Sequence, residues 1–95
     1  MEFQSEPGRF YMNDADGKLV AEITFSRIDD GKNVAIEHTY VDASLRGQGI
    51  AGKLVKLVVD QARTQDYKIE PLCTYARSAF VRHPEYADVL RPVRS

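Results

Sequence analysis

Hydrophobic and polar residues alternate along the first part of the chain, and the pattern is clearest over Leu19–Ile28. The apolar side chains that share one face of this segment are Ala21, Ile23 and Phe25. A period of two is typical of a strand with one buried face. The same alternation predicts strands over Arg9–Asn13 and Val34–Val41, and the Asp, Asn and Gly residues between the strands predict hairpin loops. We expect residues 1–8 to form a loose leader that ends at a Pro-Gly turn.

The third predicted strand carries β-forming residues on both of its faces. Strict alternation puts one set on one face: Val34, Ile36, His38 and Tyr40. The opposite face then carries Ala35, Glu37, Thr39 and Val41. Because side chains of a strand point to opposite faces in turn, this assignment follows from the sequence alone. Three strands joined by hairpins predict an antiparallel meander.

The apolar spacing changes to that of a helix after the third strand, which predicts a helix from about Ile50 to about Thr64. Its apolar stripe is wide enough to lie flat on a sheet. The segment Lys68–Thr74 is a fourth predicted strand, and Tyr75 to about His83 is a short second helix. Because strand–helix–strand units cross over right-handed, the third and fourth strands should be parallel. Pro71 has no N–H to donate, which indicates that these two strands separate at their ends.

These elements predict a fold of the α+β or α/β class, in a single domain over residues 1–95 with an ordered core of about 9–86. The order is an antiparallel three-strand meander, a strand–helix–strand unit and a short C-terminal helix. A chain of 95 residues is long enough for one small core. Residues 85–95 leave room for one more turn and a tail.

Composition excludes several classes of function. The net charge is −1, so no basic excess indicates nucleic acid or an anionic membrane as a partner. No apolar run approaches the roughly 20 residues of a membrane span. The single cysteine, Cys73, excludes an internal disulfide and, like the acidic start of the chain, is compatible with the cytoplasm. Four arginines are expected to form a solvated face: Arg77, Arg82, Arg91 and Arg94.

The segment between the third strand and the first helix carries the strongest chemical signal. It has three glycines within six residues, Gly47, Gly49 and Gly52, between Arg46 and Lys53. Glycine lets a phosphate approach the backbone closely, and free N–H groups at a helix N-terminus attract an anion. We therefore expect a diphosphate group to bind at this glycine loop.

Two nucleotide-binding motifs match the loop in part. Gly47-x-Gly49-x-x-Gly52 matches a dinucleotide fingerprint, but five residues separate the loop from its strand, and the chain has room for only two parallel strands. A Walker A loop needs a Ser or Thr to ligate Mg²⁺ where Leu54 stands. Both motifs also predict a parallel sheet from the start of the chain, where this sequence predicts hairpins. A nucleotide-binding protein is the alternative that these partial matches leave.

A third motif, the R/Q-x-x-G-x-G/A pattern, is matched by Arg46-x-x-Gly49-x-Ala51 and agrees with the order of the elements. On this loop and the elements around it, residues 9 to about 83 resemble the GNAT superfamily of acetyl-CoA-dependent N-acetyltransferases. The segments around His38 and Cys73 are most similar to the small, minimal members of that superfamily. The resemblance implies acetyl-CoA as co-substrate, no metal, and an acceptor that is a small amine or a protein lysine.

The resemblance also implies which residues hold the co-substrate. Backbone N–H groups of Gln48–Lys53 would bind the diphosphate of CoA, and the side chains of Arg46 and Lys53 would add positive charge. The pantetheine arm would pair, like a strand, with the backbone of Tyr40 and Val41. The full set is Tyr40, Val41, Arg46, Gly47, Gln48, Gly49, Ile50, Ala51, Gly52 and Lys53.

Four residues are candidates for the chemical step. An amine is mostly protonated at neutral pH, so a base assists it, and His38 is the candidate by residue type, with Glu37 as the alternative. Cys73 could accept the acetyl group covalently, with His38 removing the thiol proton. Tyr75 could replace the leaving-group tyrosine of many family members, whose place in the second helix is taken by Val81. Each candidate also has an ordinary structural role open to it, as a hydrogen-bonded, solvated, buried or capping residue.

The chain lacks the helices that the family usually places between its first two strands. The implied site is therefore open, which suits a large substrate such as a protein lysine. The alternative is a catalytically weak CoA-binding or protein-interaction module. Exposed strand edges on a chain of this size imply a monomer or a weak homodimer.

Overall fold

Five strands form one mixed sheet in the computed structural model, which describes residues 2–92. In chain order the strands are β1 (Gln4–Glu6), β2 (Arg9–Asn13), β3 (Leu19–Ile28), β4 (Asn33–Val41) and β5 (Ile69–Pro71). The helices are α1 (Ile50–Gln65) and α2 (Thr74–Arg82), with short 3₁₀ helices at Ala43–Leu45 and Pro84–Val89. Strands β1 to β4 are antiparallel neighbours, and β5 lies parallel to β4 at the edge.

The predicted fold class is confirmed: an antiparallel meander is followed by a strand–helix–strand unit and a short second helix. Strands β2 and β3 have the predicted bounds, and β4 and α1 differ from prediction by one residue each. Strand β5 is shorter than predicted, because Cys73 already caps the next helix. None of the helices within residues 2–92 is long and apolar enough to cross a membrane.

The prediction of a loose leader is wrong, because Gln4–Glu6 forms the edge strand β1 and pairs with β2. Gly8, at φ +82°, closes the turn between them, and its carbonyl accepts a 2.9 Å hydrogen bond from Phe25 N–H. A Cβ at Gly8 would lie 2.9 Å from the Phe25 carbonyl oxygen, so only glycine fits there. All three residues of β1 are exposed, so no buried face produced an alternating pattern to detect.

The core lies between one face of the sheet and the helices. Its α1 side chains are Leu54, Val55, Val58, Val59 and Ala62, and it includes Ile23 and Phe25 of β3. Helix α2 adds the small residues Ala76 and Ala79, which let it pack closely. Each fully buried aliphatic side chain contributes roughly 1.5–3 kcal/mol, so α1 owes its stability to this face.

The C-terminal segment closes the fold over the start of β5. Arg91 N–H donates to the Ile69 carbonyl at 2.8 Å, and the Arg91 guanidinium pairs with Asp29 at 2.8 Å and with Glu70 at 2.9 Å. Arg91 is therefore a structural ion-pair residue rather than part of a solvated face. Arg94, predicted to belong to the same face, lies outside the described residues, as does the end of the predicted tail.

Candidate functional site

Strands β4 and β5 separate soon after they begin to pair. Their pairing ends at Ile36 and Pro71, with a last 3.0 Å hydrogen bond from Leu72 N–H to the Ile36 carbonyl. Beyond it, β4 runs on to Val41, whereas the chain turns away into α2. The predicted separation of these two strands is confirmed, and it leaves a gap beside the last residues of β4.

Pro71 is not the reason for the gap. Lys68 and Leu72 turn their backbone groups toward β4, whereas the Ile69 carbonyl faces the other way, toward Arg91. Because these directions alternate along a strand, the nitrogen of Pro71 also faces away from β4. The missing N–H therefore leaves the outer edge of β5 without a donor at position 71, and the strands diverge because α2 begins at Thr74.

A β-bulge at Glu37 reverses the two faces of β4. Thr24 pairs with His38 but Phe25 pairs with Ile36, so Glu37 is an extra residue on β4. Paired residues share a face, and Ile23, which is buried against the helices, pairs with Thr39. The predicted grouping of Val34 and Ile36 with His38 and Tyr40 is therefore wrong. Thr39 and Val41 face the helices instead, because one inserted residue inverts the alternation.

The bulge also decides which backbone groups face the gap. Asp42 N–H donates to the Val20 carbonyl of β3 at 2.8 Å, so position 42 is a hydrogen-bonded position of the β3–β4 ladder. Alternate positions of an antiparallel pair turn their N–H and C=O groups outward, which applies to Thr39 and Val41. The backbone of Tyr40 faces β3. The expectation that Tyr40 offers its backbone to a ligand is corrected to Thr39, while that for Val41 remains a prediction.

The glycine loop presents free N–H groups, as predicted. Gly47 and Gly49 adopt φ +84° and +74°, and Gly49 is the N-cap of α1 without any side-chain cap. Within residues 2–92, the backbone N–H groups of Gly47–Gly52 have no hydrogen-bond acceptor. Lys53 N–H differs, because it donates to the Gly49 carbonyl at 3.1 Å. The free donors thus cover 47–52, and Lys53 offers only its ammonium group.

Asp42 fixes the way in which β4 leads into the loop. Its carboxylate accepts hydrogen bonds from the Ser44 hydroxyl at 2.6 Å and from Ser44 N–H at 3.1 Å, and so caps the 3₁₀ turn Ala43–Leu45. The Tyr40 hydroxyl donates to it at 3.2 Å. These hydrogen bonds lower the pKa of Asp42 to about 2, and the two from Ser44 have the largest effect. Asp42 is thus an anion that holds the loop and is not itself free to bind a ligand.

A cavity of about 190 Å³ joins the loop to β4 and α2. It is lined by Val41, Leu45, Arg46, Gly47, Gly49, Ile50, Ala51 and Tyr75. Tyr75 reaches the loop from the first turn of α2, and a Cβ at Gly52 would lie 3.4 Å from its hydroxyl oxygen. A larger cavity at the far end of α1, between Ser5 and Gln65, contains none of the predicted site residues. Most of the residues predicted to hold the co-substrate therefore line the small cavity at the loop, whereas Lys53 lines a separate one.

Cys73 contacts Thr39 rather than His38. Its Sγ lies 3.4 Å from the Thr39 hydroxyl and accepts a 3.4 Å hydrogen bond from Ala76 N–H as the N-cap of α2. His38 is exposed and shares the opposite face of the sheet with Thr24, and no hydrogen bond joins it to Cys73 within residues 2–92. The pairing of His38 with Cys73, on which the covalent hypothesis depended, is therefore not found.

Glu37 is exposed and accepts a 3.0 Å hydrogen bond from the Ser26 hydroxyl. It stands at the bulge, next to His38, so both candidate bases border the same open part of the sheet. The residue that sequence reasoning missed is Thr39. Local pattern held no signal for it, because its direction depends on a bulge in the pairing of two strands.

Comparison with known proteins shows to which family the chain is similar. Residues 9–89 match a family model described as GCN5-related N-acetyl-transferase. A GCN5-like protein from Staphylococcus aureus, solved by NMR, is 34% identical with a TM-score of 0.79, over 98% of this chain and 90% of that one.

Two larger proteins contain a similar fold. The GNAT family N-acetyltransferase YhbS from Escherichia coli, solved in complex with CoA, is 27% identical with a TM-score of 0.61, over 73% of this chain and 43% of that one. An acetyltransferase from Clostridium acetobutylicum, solved with acetyl-CoA, is 19% identical with a TM-score of 0.60, over 79% of this chain and 55% of that one. At that identity the second likeness concerns the fold alone.

Proposed function

Since this chain belongs to the GCN5-related N-acetyltransferase family, we propose that it binds acetyl-CoA at the glycine loop and transfers the acetyl group to an amine. One observation carries the proposal: six consecutive unpaired N–H groups, from Gly47 to Gly52, stand at the N-terminus of α1 beside the gap in the sheet. Such an array attracts a diphosphate, because its donors are unpaired and the helix end is partially positive.

The donor is held along the gap. The diphosphate of CoA binds the N–H groups of the loop, while the side chains of Arg46 and Lys53 neutralise its charge. The pantetheine arm adds to the open edge of β4 as an extra strand, bonding to the outward groups of Thr39 and Val41. The CoA complex of YhbS supports CoA as the ligand, and the Thr39–Cys73 contact lies beside the gap.

The acceptor amine attacks the thioester carbonyl from the open side of the sheet. The carbonyl oxygen becomes an oxyanion, which an outward N–H of β4 stabilises. The C–S bond then breaks, the CoA thiolate takes up a proton and the amide remains. His38 or Glu37 removes the proton of the amine, and His38 suits this task by residue type. Both are exposed, so a long, flexible side chain such as a protein lysine can reach them.

A covalent route through Cys73 is the second form of the same function. The thiol would attack acetyl-CoA to give acetyl-Cys73 and free CoA, and the amine would then take the acetyl group and restore the thiol. Cys73 Sγ accepts Ala76 N–H at the start of α2, where the helix end favours an anion. Because Thr39 rather than His38 is its neighbour, the thiol proton would pass to water, directly or by relay through the Thr39 hydroxyl, and the CoA thiolate would take up a proton as it leaves.

Calorimetric titration with acetyl-CoA tests the binding step. The matched variants are Gly49→Leu and Gly17→Leu, since both glycines have positive φ and open space around a Cβ. Both changes strain the backbone, but only Gly49→Leu blocks approach to the loop, so it alone should abolish binding. No binding by the unchanged protein at millimolar acetyl-CoA would contradict the proposal.

Acetyl transfer to a panel of polyamines and lysine peptides tests the catalytic step. Release of free CoA that depends on an added amine is expected. Mass spectrometry of the protein after exposure to acetyl-CoA separates the two routes. Acetyl-Cys73 that disappears on addition of amine supports the covalent route, and a wholly unmodified thiol supports direct attack.

A further inference from the structure

Arg82 is a cation that donates no hydrogen bond to any residue of the described part of the chain, 2–92. Its guanidinium carbon lies 5.3 Å from the centre of the Tyr75 ring, and within residues 2–92 it has no carboxylate partner. Arg63 and Arg91, by contrast, are held by Asp88 and by Asp29 with Glu70. An arginine supported by an aromatic face keeps its N–H edge available for an outside anion.

The same ring places this cation beside the loop. Tyr75 lines the cavity, and its hydroxyl lies against Gly52 in the first turn of α1. Arg82 stands seven residues later on α2, on the same helical face, and its side chain folds back over the ring. Arg46 also lines the cavity, whereas Lys53 lines a separate one with Phe3 and Leu57. Arg46 in the lining and Arg82 against the ring of Tyr75 therefore both bring positive charge to this cavity, in a chain whose net charge is −1.

The chemistry of the donor accounts for a second cation. Coenzyme A carries two kinds of phosphate: the diphosphate, and a phosphomonoester on the 3′ carbon of its ribose. The loop N–H groups and the end of α1 serve the diphosphate. The 3′-phosphate lies one ribose away from the diphosphate and carries more charge per phosphorus. A planar guanidinium can bind such a group through several hydrogen bonds at once.

We propose that Arg82, oriented by the ring of Tyr75, binds the 3′-phosphate and makes the protein select phosphorylated CoA over its 3′-dephosphorylated form. This inference rests on the proposed function, because it names a specificity element of the same donor site. Tyr75 is then a positioning residue, whose ring rather than whose hydroxyl supports the selection.

The test compares the affinities for CoA and for 3′-dephospho-CoA by calorimetry. The unchanged protein should bind CoA about tenfold or more tightly than dephospho-CoA, as expected for charge-assisted hydrogen bonds. Arg82→Gln should lower the affinity for CoA about tenfold and leave the affinity for dephospho-CoA unchanged, so that the two affinities become equal. Arg82 is exposed, so the variant should fold, which circular dichroism checks.

Three further variants sharpen the result. Arg77→Gln is the matched control, because Arg77 lies on the same helix but its side chain bonds to the Pro71 carbonyl. It should keep the preference for CoA. Tyr75→Phe keeps the ring and should also keep the preference, whereas Tyr75→Leu should lose most of it.

Equal binding of CoA and dephospho-CoA by the unchanged protein would overturn this inference and leave the proposed function intact. So would an equal effect of Arg77→Gln, or an Arg82→Gln variant that weakens both ligands alike. Failure of the unchanged protein to bind CoA at all would overturn the proposed function, and this inference with it.

Discussion

At the scale of single residues, the three loop glycines are glycine for different reasons. Gly47 and Gly49 have positive φ, which other residues adopt only with strain, and open space around a Cβ. Gly52 has no such φ, and a Cβ there would meet only the Tyr75 hydroxyl, at 3.4 Å. The fold therefore tolerates a side chain at Gly52. We attribute the glycine at this position to the close approach of a ligand to the loop.

Gly52→Ala separates stability from binding. The variant should raise the free energy of unfolding by about 0.5 kcal/mol, because alanine favours helix and narrows the unfolded ensemble. It should lower the affinity for acetyl-CoA about tenfold, because the Cβ would stand where the diphosphate approaches. Urea denaturation and calorimetry measure the two effects. Unaltered affinity in a stabilised variant would show that position 52 does not face the diphosphate.

Asp42 gives the loop a dependence on pH. Its pKa in the folded protein, about 2, lies below its ordinary value of 3.8, so its contribution to stability is complete above about pH 4. Protonation removes that contribution as the pH falls from about 4 to about 2, because the Ser44 hydrogen bonds favour the carboxylate.

Asp42→Asn tests this by removing the titration. The difference in melting temperature between the unchanged protein and the variant should be constant from pH 7 to about 4 and should shrink below that. A difference that stays constant down to pH 2 would contradict the role of Asp42 as a charged cap.

At the scale of elements, the N-terminus of α2 combines a cap with a free thiol. Cys73 accepts Ala76 N–H, which a serine hydroxyl would do at least as well. Cys73→Ser should therefore keep the free energy of unfolding within about 0.5 kcal/mol of the unchanged protein, whereas Cys73→Ala should lower it by about 1 kcal/mol. Chemical denaturation measures both changes.

The same pair of variants reports on the reaction. Under direct attack, Cys73→Ser should retain most of the transfer rate, because the helix and the gap are kept. Under the covalent route, serine and alanine should both abolish transfer although only alanine destabilises the helix. A lower free energy of unfolding for Cys73→Ser than for Cys73→Ala would contradict the capping role.

At the scale of the whole molecule, the C-terminal segment clamps distant parts of the chain. Arg91 binds Asp29, 62 residues earlier, and Glu70 at the start of β5. Both carboxylates raise the pKa of Arg91, and the hydrogen bond that Arg91 donates to Asp29 is the largest cause. The clamp lies at the end of β5 opposite the gap, so it affects the fold and not the donor site.

Arg91→Gln should lower the melting temperature more than Lys56→Gln, which breaks only the exposed pair of Lys56 with Asp60 on one helix. The affinity for acetyl-CoA should stay unchanged in both. Equal melting temperatures of the two variants would show that the clamp contributes no more than an ordinary surface pair.

Most of the fold and the loop followed from local sequence. Alternation over Leu19–Ile28 and the helical period after Ile50 predicted the elements, because burial of one face forces a residue pattern with the period of the backbone. The glycines around Gly49 predicted free N–H groups, because a positive φ and a helix start are local properties. The family resemblance on the same residues is confirmed by the match over 9–89.

Tertiary structure alone decided the details of the site. The bulge at Glu37 arises from the pairing of β4 with β3, and it turned Thr39, instead of His38, toward Cys73. The support of Arg82 by Tyr75 likewise required α2 to fold against the loop. These contacts join residues whose relative directions no local period encodes, so they became visible only when the strands and helices were packed together.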